Sequence, residues 1–117
     1  MPAGPPLPVI AILVTPETAA SVVYGMYDMF HTAGHDWDLL VSGAPVPQLL
    51  ECLLVSRSSE PLTVLNGVQI APHVSMQDCP PLDIICVPEV ALPAHAPLAE
   101  RFREEIDWFS RRYRDGA

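Results

Sequence analysis

Asp78-Cys79-Pro80-Pro81-Leu82-Asp83-Ile84-Ile85-Cys86-Val87-Pro88-Glu89 decides how this chain is read. A proline-rich turn leads into an almost wholly apolar run, 82–87, which ends at a proline and a charge. Strands covered on both faces of a parallel sheet read this way, without the apolar–polar alternation of a one-sided sheet. Open α/β sheets bind ligands beyond the carboxyl ends of their strands. The residues after Val87 are therefore expected to border a functional site.

Working outward, residues 8–14 form a second apolar run and a first strand. Thr15-Pro16-Glu17 then has the order of a helix start: a hydroxyl cap, a proline at the first turn and an acid at the positive end of the dipole. The helix is predicted to run to about Ala33 and to stop at Gly34, burying Ala19, Val23, Met26, Tyr27 and Phe30. Gly25 in its middle implies close approach by another backbone. Residues 37–41 fit either a short strand or a helical turn, and 42–48 read as a loop. Residues 50–57 resemble a strand. Asn66-Gly67 inside 63–70 marks a hairpin, since both residues tolerate the positive φ of a type I′ turn. Residues 75–78 read as a helical turn. A last helix starts near Ala96 or Pro97, with Leu98, Phe102, Ile106, Phe109 and Tyr113 as its buried stripe, and stops at Asp115-Gly116. Trp108 lies off that stripe, at the edge of the core.

The order strand, helix, strand, hairpin, strand, helix predicts an α/β fold: an incomplete, flavodoxin-like, doubly wound, mainly parallel sheet with a β-hairpin insertion. Residues 1–8 read as a flexible lead-in. Because a β–α unit returns to its sheet through a right-handed crossover, residues 9–117 are expected to be the front part of a larger domain.

Composition narrows the function classes. Of the 117 residues half are hydrophobic, which favours a folded core over disorder. The formal charge is −8, there is no lysine, and five of the six arginines fall between Arg101 and Arg114. Such a chain is poorly equipped to neutralise DNA phosphates, and those arginines read as a solvated helix face. No apolar run reaches the ~18 residues of a membrane span. The first residues lack the positive charge of a secretory signal, so a cytoplasmic location is expected. Cys52, Cys79 and Cys86 fit no zinc or redox spacing; Cys52 and Cys86 read as small buried hydrophobes, and Cys79 lies in a turn. Of His31, His35, His73 and His95, only the first two have a ligand-like spacing, across Gly34, so neither metal nor cofactor is expected.

Glu17, just past the first strand, is either a pocket carboxylate or a helix-start acid. Glu89, with Val90 after it, stands directly after the 82–87 strand and faces the expected ligand crevice.

Thr15-Pro16-Glu17 with Tyr24-Gly25-Met26-Tyr27-Asp28-Met29-Phe30, then Asn66-Gly67-Val68 and the 78–88 run, resemble the ThiJ/PfpI superfamily, which is class I glutamine amidotransferase-like. They are most similar to the N-terminal domains of AraC-type transcription regulators of the GlxA kind, and similar strings occur in isocyanide hydratases. The resemblance implies a cysteine nucleophile on a strand-to-helix elbow beyond Ala117, so none of the three cysteines inherits that role. Asp28 aligns with an acid common in the family's first helix and reads as structural or solvent-facing. Where the family's enzymes carry a first-helix carboxylate this chain has Val22, and where they carry Gly-Gly after the third strand it has Glu89-Val90. Valine cannot move a proton, and a carboxylate opposes an oxyanion. The resemblance thus implies a non-catalytic, ligand-sensing domain with Glu17, Glu89 and Val90 at the ligand. It also implies a small-molecule effector, a homodimer, and DNA contact only through a helix-turn-helix outside this chain. The alternative is a cysteine-dependent hydratase or amidase-like hydrolase.

Overall fold

A computed structural model describes residues 6–33, 36–44 and 47–117. Strand β1 (Val9–Leu13) is followed by helices α1 (Ala20–Thr32) and α2 (Asp36–Ser42). Next come β2 (Glu51–Ser56), β3 (Leu62–Thr63), β4 (Gln69–Ile70), β5 (Val74–Ser75) and β6 (Ile84–Cys86), then helices α3 (Leu98–Arg101) and α4 (Arg103–Arg114). Four strands form one sheet in the order β5-β2-β1-β6, and every pair in it is parallel. β3 and β4 form a separate antiparallel hairpin. The chain is therefore an α/β protein with a parallel four-stranded sheet flanked by helices.

β1 is central, with Ile10 opposite both Cys52 of β2 and Ile84 of β6. Its alternating side chains feed two cores, as a strand covered on both faces requires. Ile10 and Ile12, with Cys52 and Leu54 of β2, meet Val23 of α1 and Val64 and Ile70 of the hairpin. On the other face Ala11, Leu13 and Val55 meet Met76, Cys79, Leu82 and Trp108 of α4. Asp83 locks the start of the β1–β6 pair: its Oδ2 accepts from Val9 N–H at 2.8 Å, and its own N–H reaches Val9 C=O at 2.9 Å.

Several expectations need correction. The first helix starts at Ala20 rather than at Pro16. Residues 15–18 make a tight turn, in which Thr18 N–H donates to Thr15 C=O and the two buried hydroxyls bond each other at 3.1 Å. Thr15 thus spends its hydroxyl on the turn and caps no helix. The expected stop at Gly34 lies outside the described residues, as do His35 and most of the lead-in. Gly25 is exposed, and a Cβ there would meet nothing within 4 Å, so no backbone approaches it. Residues 37–41 belong to α2, whose apolar side chains are exposed, Trp37 by 73%. Of the turn expected over 75–78, residues 76–78 do form a turn, while Ser75 belongs with Val74 to strand β5. A strand of two residues, paired with Val55 and Ser56, leaves no periodic signal in the sequence.

The hairpin is as read: Asn66 and Gly67 take φ of 61° and 75°, the pair of positive values that a type I′ turn demands. The 82–87 strand is shorter than expected and sits at the sheet edge, with Ile84 48% exposed. Helix α4 is also rotated from its expected setting. Trp108, placed at the core edge by its spacing, is only 4% exposed, and its Nε1–H donates to Met76 C=O at 3.0 Å. Of the expected stripe, Phe102 is buried and Phe109 half-buried, while Leu98, Ile106 and Tyr113 are exposed. No described helix is long and apolar enough to cross a membrane.

Candidate functional site

β2 and β6 lie on opposite sides of β1, so the chain leaves the carboxyl end of β1 in one direction and returns beside it from the other. At the carboxyl ends of β1 and β6 the structure leaves a cavity of about 450 Å³. Leu13 and Thr15 form its β1 wall and Val87 and Val90 its β6 wall, while Phe102, Ile106 and Phe109 close it from α3 and α4. The lining is apolar except for Thr15, Ser110 and Glu105. Such a surface suits a small molecule with an apolar body and one or two polar atoms.

Beside it lies an ionic cluster that links three loops. Glu105 is buried, its side chain 7% exposed, yet it is charged. Burial opposes its ionisation, but two hydrogen bonds from Arg57, at 2.5 and 2.7 Å, and the fields of Arg57 and Arg101 outweigh that and hold its carboxyl below the ordinary range. The same contacts raise the pKa of Arg57, whose guanidinium also donates to Arg101 C=O at 2.9 Å. Arg57 therefore ties the end of β2 to the α3–α4 corner. Arg101 reaches the other way, donating through Nε to Glu17 Oε1 at 2.7 Å. Ala91 N–H donates to Glu17 C=O at 2.9 Å, which draws the loop after β6 over the end of β1.

These contacts place the three residues singled out from sequence. Glu17 is mostly buried and clamped by Arg101, with Oε2 buried and unpartnered by any described protein group. Val90 lines the cavity. Glu89, next to it, is exposed and absent from the lining of that cavity. The structure thus brings Glu17 and Val90 to the same end of the sheet and turns Glu89 outward. Val22 is half-buried on α1. Sequence reasoning missed Arg57 and Glu105, which hold the corner together. The available signal was an isolated arginine directly after an apolar strand, paired with an acid on an otherwise arginine-rich helix.

The arginines expected on a solvated face divide. Arg101 pairs with Glu17, and Arg112 donates to Cys79 C=O at 2.6 Å and Pro80 C=O at 3.0 Å. Arg103, Arg111 and Arg114 are exposed.

None of the three thiols is activated. Burial, reinforced by the nearby Cys86, pushes Cys52 up to about 11. Burial also raises Cys86, and it raises Cys79 despite the opposing charge of Arg112. Neutral thiols are weak nucleophiles. Among the described residues no group of three His, Cys, Asp or Glu side chains could hold a metal ion. His73 has a structural task instead: its ring Nδ1 accepts from Leu54 N–H at 2.8 Å while its backbone N–H donates to Leu54 C=O at 2.9 Å. It thereby extends the β2–β5 ladder by one side chain.

A scan against protein-family models matches none, and a search of curated proteins finds no significant match.

Proposed function

We propose that this chain is a ligand-sensing, non-catalytic domain of ThiJ/PfpI type with a flavodoxin-like, doubly wound sheet, most like the N-terminal domains of GlxA-type AraC-family regulators. It takes a small-molecule effector, acts as a homodimer, and leaves DNA contact to a helix-turn-helix outside this chain. The observation that carries the reading is the apolar cavity at the carboxyl ends of β1 and β6. Those two strands flank the point where the connections diverge, the place at which open α/β sheets accept ligands. The β2-β1-β6 order supports the flavodoxin-like assignment.

The cavity narrows the effector class to compact molecules with an aromatic or branched apolar body and a single hydrogen-bonding group. Thr15, Ser110 and the Arg57-held Glu105 are the polar groups at its wall. Calorimetric titration and thermal shift with a panel of such molecules test this. Binders are expected to raise the melting temperature by mass action, and Val90→Phe, which fills the cavity, is expected to abolish the effect. Turnover of isocyanides or amides by the purified protein would overturn the sensor reading in favour of the hydratase or hydrolase alternative.

A further inference from the structure

We propose that Asn66 is a site of spontaneous covalent modification: its side-chain amide is displaced by the Gly67 backbone nitrogen, and the hairpin turn sets the rate. The proposal is independent of the sensor reading. Its chemistry needs only these two residues and water.

Asn66 is the chain's one asparagine, and glycine follows it. The Gly67 nitrogen, once it has lost its proton to base, attacks Asn66 Cγ. A new C–N bond closes a five-membered imide, the bond from Cγ to the side-chain nitrogen breaks, and that nitrogen leaves as ammonia. Water then opens the imide at either carbonyl. One opening gives aspartate. The other gives isoaspartate, whose main chain runs through Cβ and Cγ and so gains one atom. No oxidant or reductant enters. Glycine is the neighbour that favours the attack, because it has no Cβ to crowd the closing ring.

The structure shows what holds the reaction back. Ring closure needs Gly67 N on the same side of the Asn66 Cα–C bond as Cβ. At ψ 22° it lies on the opposite side. Gly67 N–H is also engaged, donating to Val64 C=O at 3.3 Å, and Val68 N–H closes the turn on Leu65 C=O at 3.5 Å. The turn must therefore open before Asn66 reacts. Little opposes that opening. Residues 66–69 are exposed, and the strands behind them pair only Leu62 with Ile70 and Thr63 with Gln69. A hairpin this short is held by packing rather than by its own ladder. Here the anchors are Val64 and Ile70 in the core and the bond from Leu65 N–H to Thr18 C=O at 3.2 Å. The tip can fray while those anchors stay in place.

The two products part at the turn. Aspartate tolerates positive φ, and Asp-Gly suits a type I′ turn as Asn-Gly does. Isoaspartate does not, because its extra main-chain atom lengthens a connection whose length fixes the register of the strands. The bond from Val64 N–H to Val68 C=O, 2.8 Å in the native turn, is then lost. Modification thus loosens the hairpin that packs beside α1 over β1 and β2, on the face of the sheet opposite α4.

Peptide mapping of the native chain through incubation in mildly alkaline buffer is the test. Conversion of Asn66 to isoaspartate and aspartate is expected, with hydroxylamine cleaving the imide between residues 66 and 67. The rate should rise roughly tenfold or more in urea, where the turn is lost. It should rise part of the way in Ile70→Ala, which keeps Asn66-Gly67 and removes an anchor. The isoaspartyl form should exchange its Val64 and Val68 amides roughly tenfold faster than the unmodified chain, while Asn66→Asp exchanges them at the unmodified rate. An Asn66 left intact in the native protein through the whole incubation would overturn the proposal. So would equal rates with and without urea, or an isoaspartyl form whose hairpin amides are as protected as before.

Discussion

The β2 side and the β6 side of this sheet are made of similar apolar residues but are finished in opposite ways. Beyond β2 the strand end is tied down: β5 pairs with Val55 and Ser56, His73 adds a side-chain rung, and Arg57 fastens the strand end to buried Glu105. Beyond β6 no further strand lies among the described residues, and the apolar side chains of Ile84, Ile106 and Tyr113 are exposed. Stability should therefore concentrate on the first side and tolerance to substitution on the second. The first side holds buried polar groups whose partners cannot be removed without penalty, and the second has none tied in this way.

The sharpest way to break that contrast is at Arg57. Arg57→Met removes both hydrogen bonds to buried Glu105 and should destabilise the protein by about 3 kcal/mol in urea denaturation. The double change Arg57→Met with Glu105→Leu should recover most of the loss, because no unpaired charge remains. The wild-type pair also fixes a pH response. The carboxyl of Glu105 is lowered on folding, so its contribution is present above the ordinary carboxylate range and is lost as pH falls through the depressed value. Arg57→Met should remove that acid limb.

Alkali should act on the same half of the sheet from the other direction. Folding raises Cys52 from 9.0 to about 11. The neutral thiol is thus favoured in the native state; its stability contribution is intact below pH 9 and lost as pH rises through about 11. The loss should be on the order of 2–3 kcal/mol and absent in Cys52→Ala. Chemical denaturation at pH 8 and at the alkaline end of the window measures it.

His73→Leu is a smaller cut. It leaves Leu54 N–H without its acceptor and should cost roughly 1–3 kcal/mol, with faster amide exchange at Leu54. At the exposed positions the expected effects are smaller still. Gly25→Ala should stabilise α1 by about 0.5–1 kcal/mol, since the added methyl meets nothing within 4 Å. Ile84→Thr, half-exposed on β6, should leave the stability within about 0.5 kcal/mol. A loss at Ile84 as large as that at Arg57 would erase the distinction between the two sides.

What the sequence carried was local. The apolar run around Ile10 declared a parallel strand because two-sided burial removes alternation, and the run around Ile84 declared a strand but not its half-exposed setting. Asn66-Gly67 declared its turn because few residue pairs tolerate two positive φ angles. The amphipathic run from Leu98 to Tyr113 declared a helix, and it placed Val90 in a loop at the carboxyl end of a strand. These signals belong to single segments and survive without partners.

What the tertiary structure decided was which surfaces meet. Periodicity identified an apolar side of α4 but not the sheet-facing side, which is set by Trp108 bonding Met76 and by Arg57 reaching Glu105 across the fold. The turn at Thr15 displaced the helix start because the Thr18 hydroxyl offered a closer partner. Glu17 became a clamped carboxylate and Glu89 a solvent-facing one according to which lay near Arg101. Pairings between residues far apart in the chain depend on three-dimensional distance, and one-dimensional spacing does not contain it.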